Sequence, residues 1–192
     1  GDHLSDQSFE MLKQIELSAL PLVDSSERIG PCIGDVGKVV CIGLNYSDHA
    51  AEAGMDLPTE PVLFMKATSS ISGPNDPIQI PRGAQKTDWE VELAIVIGKK
   101  TKYISEEQSM DHIAGFCLAN DLSERAFQLE RLGSWDKGKS HDSFAPIGPY
   151  LVTKDEILDP QNLNMFTEIN GDRFQDGNTN TMVFDVKTIV AY

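Results

Sequence analysis

Cysteine is scarce in this chain of 192 residues, with three at positions 32, 41 and 117. An odd number at such wide spacing makes neither a zinc pattern nor a disulfide framework. Cys41 and Cys117 sit in apolar runs, where a cysteine serves as a small buried hydrophobe, and a reducing cytoplasm is the expected location. No run of about eighteen apolar residues occurs, which excludes a membrane-spanning helix. The start, Gly1-Asp2-His3-Leu4, lacks a basic region followed by an apolar stretch, so no secretory signal is read there. Positive charge is short as well: 16 Lys and Arg against 30 Asp and Glu leave a net charge of −14. Without a basic cluster, binding to the phosphates of nucleic acid is excluded. The acidity either keeps the surface solvated or gathers carboxylates around a cation, and composition leaves both open.

What is present suits one core of ordinary size, with 40% hydrophobic residues. Residues 1–36 read as a small N-terminal annex containing a helix near 8–15, capped by Asp6 or Ser8, then Gly/Pro/Ser punctuation. The main domain, 37–192, opens with a strand at 38–44. A short helix follows at 47–54, started by Ser47 and ended by Gly54. Strands are expected at 61–66, 89–98, 114–119 and 150–153, with a helical turn at 105–110, a helix at 122–132 and a loop from 133 to 149. Asn170-Gly171 between two strand patterns signals a hairpin, because both turn positions need positive φ. A last helix begins at Asp185, and the pattern implies a polypeptide that continues. Helices fall irregularly among short strands, which predicts an α+β fold.

Chemistry concentrates in Asp88-Trp89-Glu90-Val91-Glu92-Leu93. On a strand Glu90 and Glu92 share a face, and the apolar Ala94-Ile95-Val96-Ile97 that follows predicts a central, buried strand. Paired buried carboxylates repel and lose hydration unless a cation compensates them; the alternative is an edge strand with both facing water. Asp121, after the next apolar strand, is either a helix N-cap or a third oxygen donor. Three such donors suit a hard ion, Mg²⁺ first, then Mn²⁺ or Ca²⁺, and leave room for water and a chelating substrate. His49 and Glu52, three apart on the short helix, form either a solvated pair or an imidazole made basic by a carboxylate. Lys139 lies in Gly138-Lys139-Ser140, where glycine would let backbone and ammonium approach a ligand; a plain loop lysine fits equally. His3, His112 and His141 lack a comparable partner and read as structural or surface residues.

Taken together, several segments resemble the fumarylacetoacetate hydrolase family. In chain order they are Gly43-Leu44-Asn45-Tyr46-Ser47-Asp48-His49-Ala50-Ala51-Glu52, Pro61 through Lys66, Asp88 through Leu93, Asn120-Asp121-Leu122-Ser123-Glu124-Arg125, Gly138 through Pro146, and Asn170-Gly171 through Thr179. The resemblance covers about residue 36 onward. It implies a mixed β-sandwich roll with flanking helices, assembled as a homodimer. It also implies Glu90, Glu92 and Asp121 as metal ligands, His49 and Glu52 as a water-activating dyad, and Lys139 as the active-site lysine. Lys66, Arg125 and Gln128 match positions near the substrate. The family continues with further strands and a Thr-Gly-rich loop, which this chain does not reach. Leu44 stands where members acting on oxaloacetate often carry Arg, which disfavours a second substrate carboxylate.

The segment from Asp121 to Gln128 is similar to bacterial diketo-deoxy sugar-acid hydrolases. The resemblance implies hydrolysis of a carbon–carbon bond in a small 2,4-dioxo acid, the substrate's enolate being stabilised by the metal. Decarboxylation of a 2-oxo acid, or isomerisation of a hydroxy-diene diacid, would use the same metal without water attack. A non-catalytic metal-binding protein that keeps the fold is the reading from another class.

Overall fold

The computed structural model describes residues 4–192, apart from the side chain of Ala53. His3 therefore lies outside the described residues. The first helix, α1 (Asp6–Lys13), is capped by Ser5, whose hydroxyl accepts the Ser8 N–H at 3.2 Å. The cap thus falls one residue before the expected Asp6, which instead places its carboxylate in the first turn, where the helix dipole favours it. A single 3-10 turn, Leu17–Ala19, follows. Leu4, Phe9, Cys32 and Ile33 lie against the central core, so this stretch docks through few apolar side chains.

Strand β1 (Val39–Gly43) pairs antiparallel with β2 (Val62–Lys66) from Val39↔Lys66 to Gly43↔Val62. Between them lies α2 (Ser47–Ala53), which ends at Gly54 in the left-handed conformation, as expected. Its N-cap is Tyr46 and not Ser47; no side chain caps it. Then come β3 (Ile71–Ser72), β4 (Thr87–Asp88), β5 (Val91–Ile97), α3 (Glu106–His112), β6 (Ile113–Asn120) and β7 (Ser123–Glu124). The chain proceeds through α4 (Arg125–Leu129), α5 (Asp136–Lys139), β8 (Ala145–Pro146), β9 (Val152–Thr153), β10 (Asn164–Ile169), β11 (Asp172–Asn178) and α6 (Val186–Ala191). The largest sheet has the order β5-β6-β9, all antiparallel. The described residues form four two-stranded sheets besides it: β1-β2, β3-β8, β4-β7 and β10-β11. This irregular mixture is the α+β architecture that the sequence predicts.

β6 is the hub. Its neighbouring residues Cys117 and Phe116 enter two different clusters, as alternating side chains on a strand must. Cys117 packs with Val96, Ala114 and Ile147; Phe116 packs with Ile113 and Val186 of α6. Burial of Phe116 and Ile113 contributes about 1.5–3 kcal/mol each. β6, not β5, is thus the central strand, and β5 sits at the edge of its sheet. An apolar run cannot tell a strand flanked on both sides from one covered on its faces.

Two further expectations shift. The helix expected at 122–132 is confined to α4, because Glu124 is claimed by β4: it accepts from the Lys86 N–H and the Thr87 hydroxyl. The expected loop 133–149 contains α5 and β8. The hairpin holds, with Asn170 and Gly171 at φ 54° and 92°. All three cysteines are free thiols, and Cys32 meets the cluster that holds Cys117.

Candidate functional site

The β5-β6 register sets Val91 opposite Asn120, so the residues flanking that pair are drawn together. The Asp121 N–H donates to the Glu90 carbonyl at 2.8 Å, and the Glu90 N–H donates to Asn120 Oδ1 at 3.1 Å. Asp121 is consequently not a helix cap; α4 is capped by Glu124. Lys139 Nζ reaches Glu90 Oε2 at 2.6 Å and Asp121 Oδ2 at 2.7 Å. Behind Asp121, at the end of β2, Lys66 Nζ donates to Asp121 Oδ1 at 2.7 Å, to the Leu122 carbonyl at 3.1 Å and to the Lys139 carbonyl. Arg125 spans Asp88 (Nε to Oδ2, 2.9 Å) and Glu90 (NH2 to Oε1, 2.6 Å), and donates to Gln128 Oε1 at 3.1 Å.

Glycine 138 delivers Lys139 to this cluster. A Cβ there would lie 2.5 Å from the Glu124 carbonyl and 2.6 Å from Gln128 Cβ. The glycine expected to admit a ligand instead admits the backbone of α4, letting α5 press inward. The Lys139 side chain is only 3% exposed, with its ammonium 5.1 Å from the Phe64 ring centroid.

Burying four charges would be costly if any stood alone, and here each of the four faces an opposite charge. Burial pushes the Asp121 carboxyl up, but the Lys66 and Lys139 ammoniums overcome it and hold the group below its usual range. Burial lowers the Lys66 ammonium, against the pull of Asp121. Glu92 is the exception: burial first, then the charges of Glu90 and Asp121, push it up to about 8. Three carboxylates therefore lie within electrostatic reach of each other.

A cavity of about 400 Å³ opens over them, lined by Glu90, Glu92, Asp121, Arg125, Gln128 and Lys139. Lys66 is not among the lining residues. On the lip, α2 contributes His49 and Glu52, both exposed, and among the described residues no hydrogen bond joins them. Asp48 beside them accepts the His49 backbone N–H at 2.8 Å and the Thr181 hydroxyl at 3.2 Å. Of the remaining histidines, His112 shares a 3.0 Å hydrogen bond with Thr101, and His141 lies edge-on to Phe127 and Phe144. The hairpin β10-β11 closes another side with Phe174, Gln175 and Asp176, and Gln175 Oε1 accepts the Val91 N–H at 2.9 Å. Tyr46 also lines the cavity, its hydroxyl buried and lacking a hydrogen-bond partner among the described residues. The sequence reading missed Tyr46, Asp88 as partner of Arg125, and the hairpin wall. Asp88 carried a signal by adjoining the acidic strand, and Tyr46 and the hairpin lay within segments that carry the resemblance without a role being read for them.

Among the described residues no three acidic, histidine or cysteine side chains are drawn close enough to grip an ion unaided. The donor set nevertheless fits a hard divalent cation. Its oxygens are carboxylate oxygens, two of the three groups already bind an ammonium, and burial together with the charges of the other two pushes the third up to about 8.

An α+β fold with an acidic, lysine-bearing cavity at the rim of its main sheet defines a small-molecule site. Residues 38–192 match the model of the fumarylacetoacetate (FAA) hydrolase C-terminal domain, and the chain belongs to that family. A protein of Burkholderia cenocepacia (strain HI2424), provisionally named a hydrolase, is 59% identical over the whole chain, which spans 68% of its length. A Mycobacterium smegmatis crystal structure, provisionally described as HpcE, superposes at TM-score 0.85 with 39% identity, covering 97% of this chain and 66% of that one. The 2-hydroxyhepta-2,4-diene-1,7-dioate isomerase of Mycobacterium marinum is 42% identical at TM-score 0.71, covering 80% of this chain and 56% of that one. The chain thus spans about two thirds or less of these relatives.

Proposed function

We propose that this protein is a divalent-metal-dependent hydrolase that cleaves the C3–C4 bond of a small 2,4-dioxo acid. One observation supports the reading: Lys139 joins Glu90 and Asp121, and Glu92, His49 and Glu52 line the same cavity. The three carboxylates would hold the ion, Mg²⁺ by preference, with Mn²⁺ or Ca²⁺ as substitutes. When bound, the ion supplies Lewis-acid polarisation of the substrate's 2-oxo group.

The chain's own groups do the rest. His49, beside Glu52 on α2, takes a proton from water, a step worth about 10²–10⁴-fold. The hydroxide adds to C4, and the C3–C4 electron pair passes into the enolate of the departing 2-oxo acid. His49 returns the proton at C3, leaving two carboxylic acids. Lys139 offsets the negative charge that develops, while Arg125 and Gln128 orient the substrate. Residues 1–36 are an annex to a catalytic unit of residues 37–192, and the working assembly is a cytoplasmic homodimer.

A single experiment tests the assignment with a 2,4-dioxo acid and Mg²⁺. Glu90→Gln combined with Glu92→Gln abolishes both turnover and calorimetric ion uptake, whereas His49→Ala abolishes turnover and leaves uptake intact. Undiminished turnover by His49→Ala removes it from the mechanism, and unchanged ion stoichiometry in the double variant rejects the ligand set. The missing His49–Glu52 hydrogen bond and the likeness to an isomerase favour a second reading, isomerisation or decarboxylation without water attack. Pyruvate, carbon dioxide or a rearranged diacid in one product assay separates them.

A further inference from the structure

We infer that Asn45 is a positioning residue, which fixes where His49 stands by locking the start of α2 to the segment that leads into α6. This goes beyond the hydrolase reading above and rests on the role given there to His49. Asn45 is only 4% exposed. It borders the cavity, but both ends of its amide are turned to the backbone of Phe184. Nδ2 donates to the Phe184 carbonyl at 3.0 Å, and Oδ1 accepts the Phe184 N–H at 2.9 Å. The Asn45 carbonyl accepts the Val183 N–H at 2.8 Å, and Tyr46 forms an antiparallel β-bridge with Met182. A side-chain amide carries a donor and an acceptor, so it can pair with a peptide group as another strand would.

The segment it grips is itself firmly held. Val186, two residues beyond Phe184, is 1% exposed and packs with Ile113 and Phe116 of β6. Gln161 braces the same stretch, accepting the Val186 N–H at 2.9 Å and donating to the Thr179 carbonyl at 3.4 Å. A second tie reaches α2 directly: the Thr181 hydroxyl donates to Asp48, the residue before His49, at 3.2 Å. On the other side the chain arrives from β1 through Leu44 at φ 54°, a conformation that leucine disfavours. Such a turn persists where its surroundings over-determine it. The helix between has seven residues, too few to hold a place by its own hydrogen bonds. Ala50 gives it a buried footing, but direction comes from the hydrogen bonds at its start. The bearing of His49 is therefore set from Asn45.

The test uses the purified protein with Mg²⁺ and 2,4-dioxoheptanoate. Asn45→Ala removes both side-chain bonds without adding charge to an acidic cavity. It is expected to lower kcat about tenfold or more, the scale of a misplaced catalytic group. KM and calorimetric Mg²⁺ uptake change less than about twofold, because ion and substrate are held elsewhere. Amide hydrogen exchange across residues 47–53 quickens in parallel. Thr181→Val cuts the second tie at a less buried place and is expected to act the same way at about two- to fivefold; it decides the matter if Asn45→Ala does not fold. Wild-type kcat and exchange in these variants, with His49→Ala inactive, overturn the inference and leave the hydrolase reading standing. So does a loss of Mg²⁺ uptake, or a KM that rises in step with the fall in kcat. Undiminished turnover by His49→Ala, or no cleavage by the wild type, overturns the hydrolase reading and this inference with it.

Discussion

Two sets of ion pairs in this molecule have nearly the same lengths and opposite characters. At the cavity floor, Lys66 and Lys139 meet Asp121 and Glu90 at 2.6–2.7 Å with the lysine side chains 2–3% exposed. On the outside, α1 carries Lys13–Glu10 within itself at 3.0 Å and is tethered by Lys13–Asp155 at 3.3 Å and Lys99–Asp6 at 2.7 Å, with all five side chains 41–66% exposed. Distance does not separate them; water does. A surface pair exchanges one hydrated state for another and gains little. An interior pair is weak evidence of net stability, yet removing one partner strands the other in a poor solvent.

That contrast can be broken at several depths. Lys139→Met leaves Glu90 and Asp121 short of their shared ammonium; urea unfolding at neutral pH is expected to show a loss of about 3–5 kcal/mol. Glu124→Gln is next, at about 1.5–3 kcal/mol. The Glu124 carboxylate is fully buried; burial pushes its pKa up, but the Thr87 hydroxyl and the N–H groups of Gln85, Lys86 and Ala126 overcome this and hold it below the usual 4.5. A depressed carboxylate stabilises the fold fully above its ordinary value, and that contribution is lost as pH falls through the folded pKa. The difference between wild type and Glu124→Gln therefore shrinks when unfolding is repeated from about pH 6 down to about pH 3; a constant difference would show that Glu124 is not held ionised. Lys13→Ala sharpens the other side, with an expected change below about 0.5 kcal/mol. A larger loss there would mean that α1 depends on its tethers more than on Leu4 and Phe9.

The local parts of this arrangement were readable from residue order. The Asn170-Gly171 turn, the Gly54 stop and the Asp185 start depend on neighbours within a few positions. Glu90 and Glu92 shared a face by strand alternation alone. The rest depends on partners far along the chain. Nothing near Leu122 announces that Glu124 will be taken by Thr87, which turns a predicted helix into a strand. Lys66 carried no sign that Asp121, 55 residues on, would claim it. The hairpin's approach to β5 rests on Gln175 and Val91, 84 positions apart. β5 yields its expected central place to β6 for the same reason, since an apolar run reports burial and not neighbours.

The hydrogen at Gly138 has a consequence for how this site can vary. With carbonyl oxygen and a side-chain carbon each within 2.6 Å of where a methyl would stand, any bulk there acts as a shim between two helices. The adjoining ammonium would be withdrawn by roughly the thickness inserted, and its two carboxylates would lose their common tenant. A position with no functional group of its own thereby sets the depth of the charge on which the cavity is built.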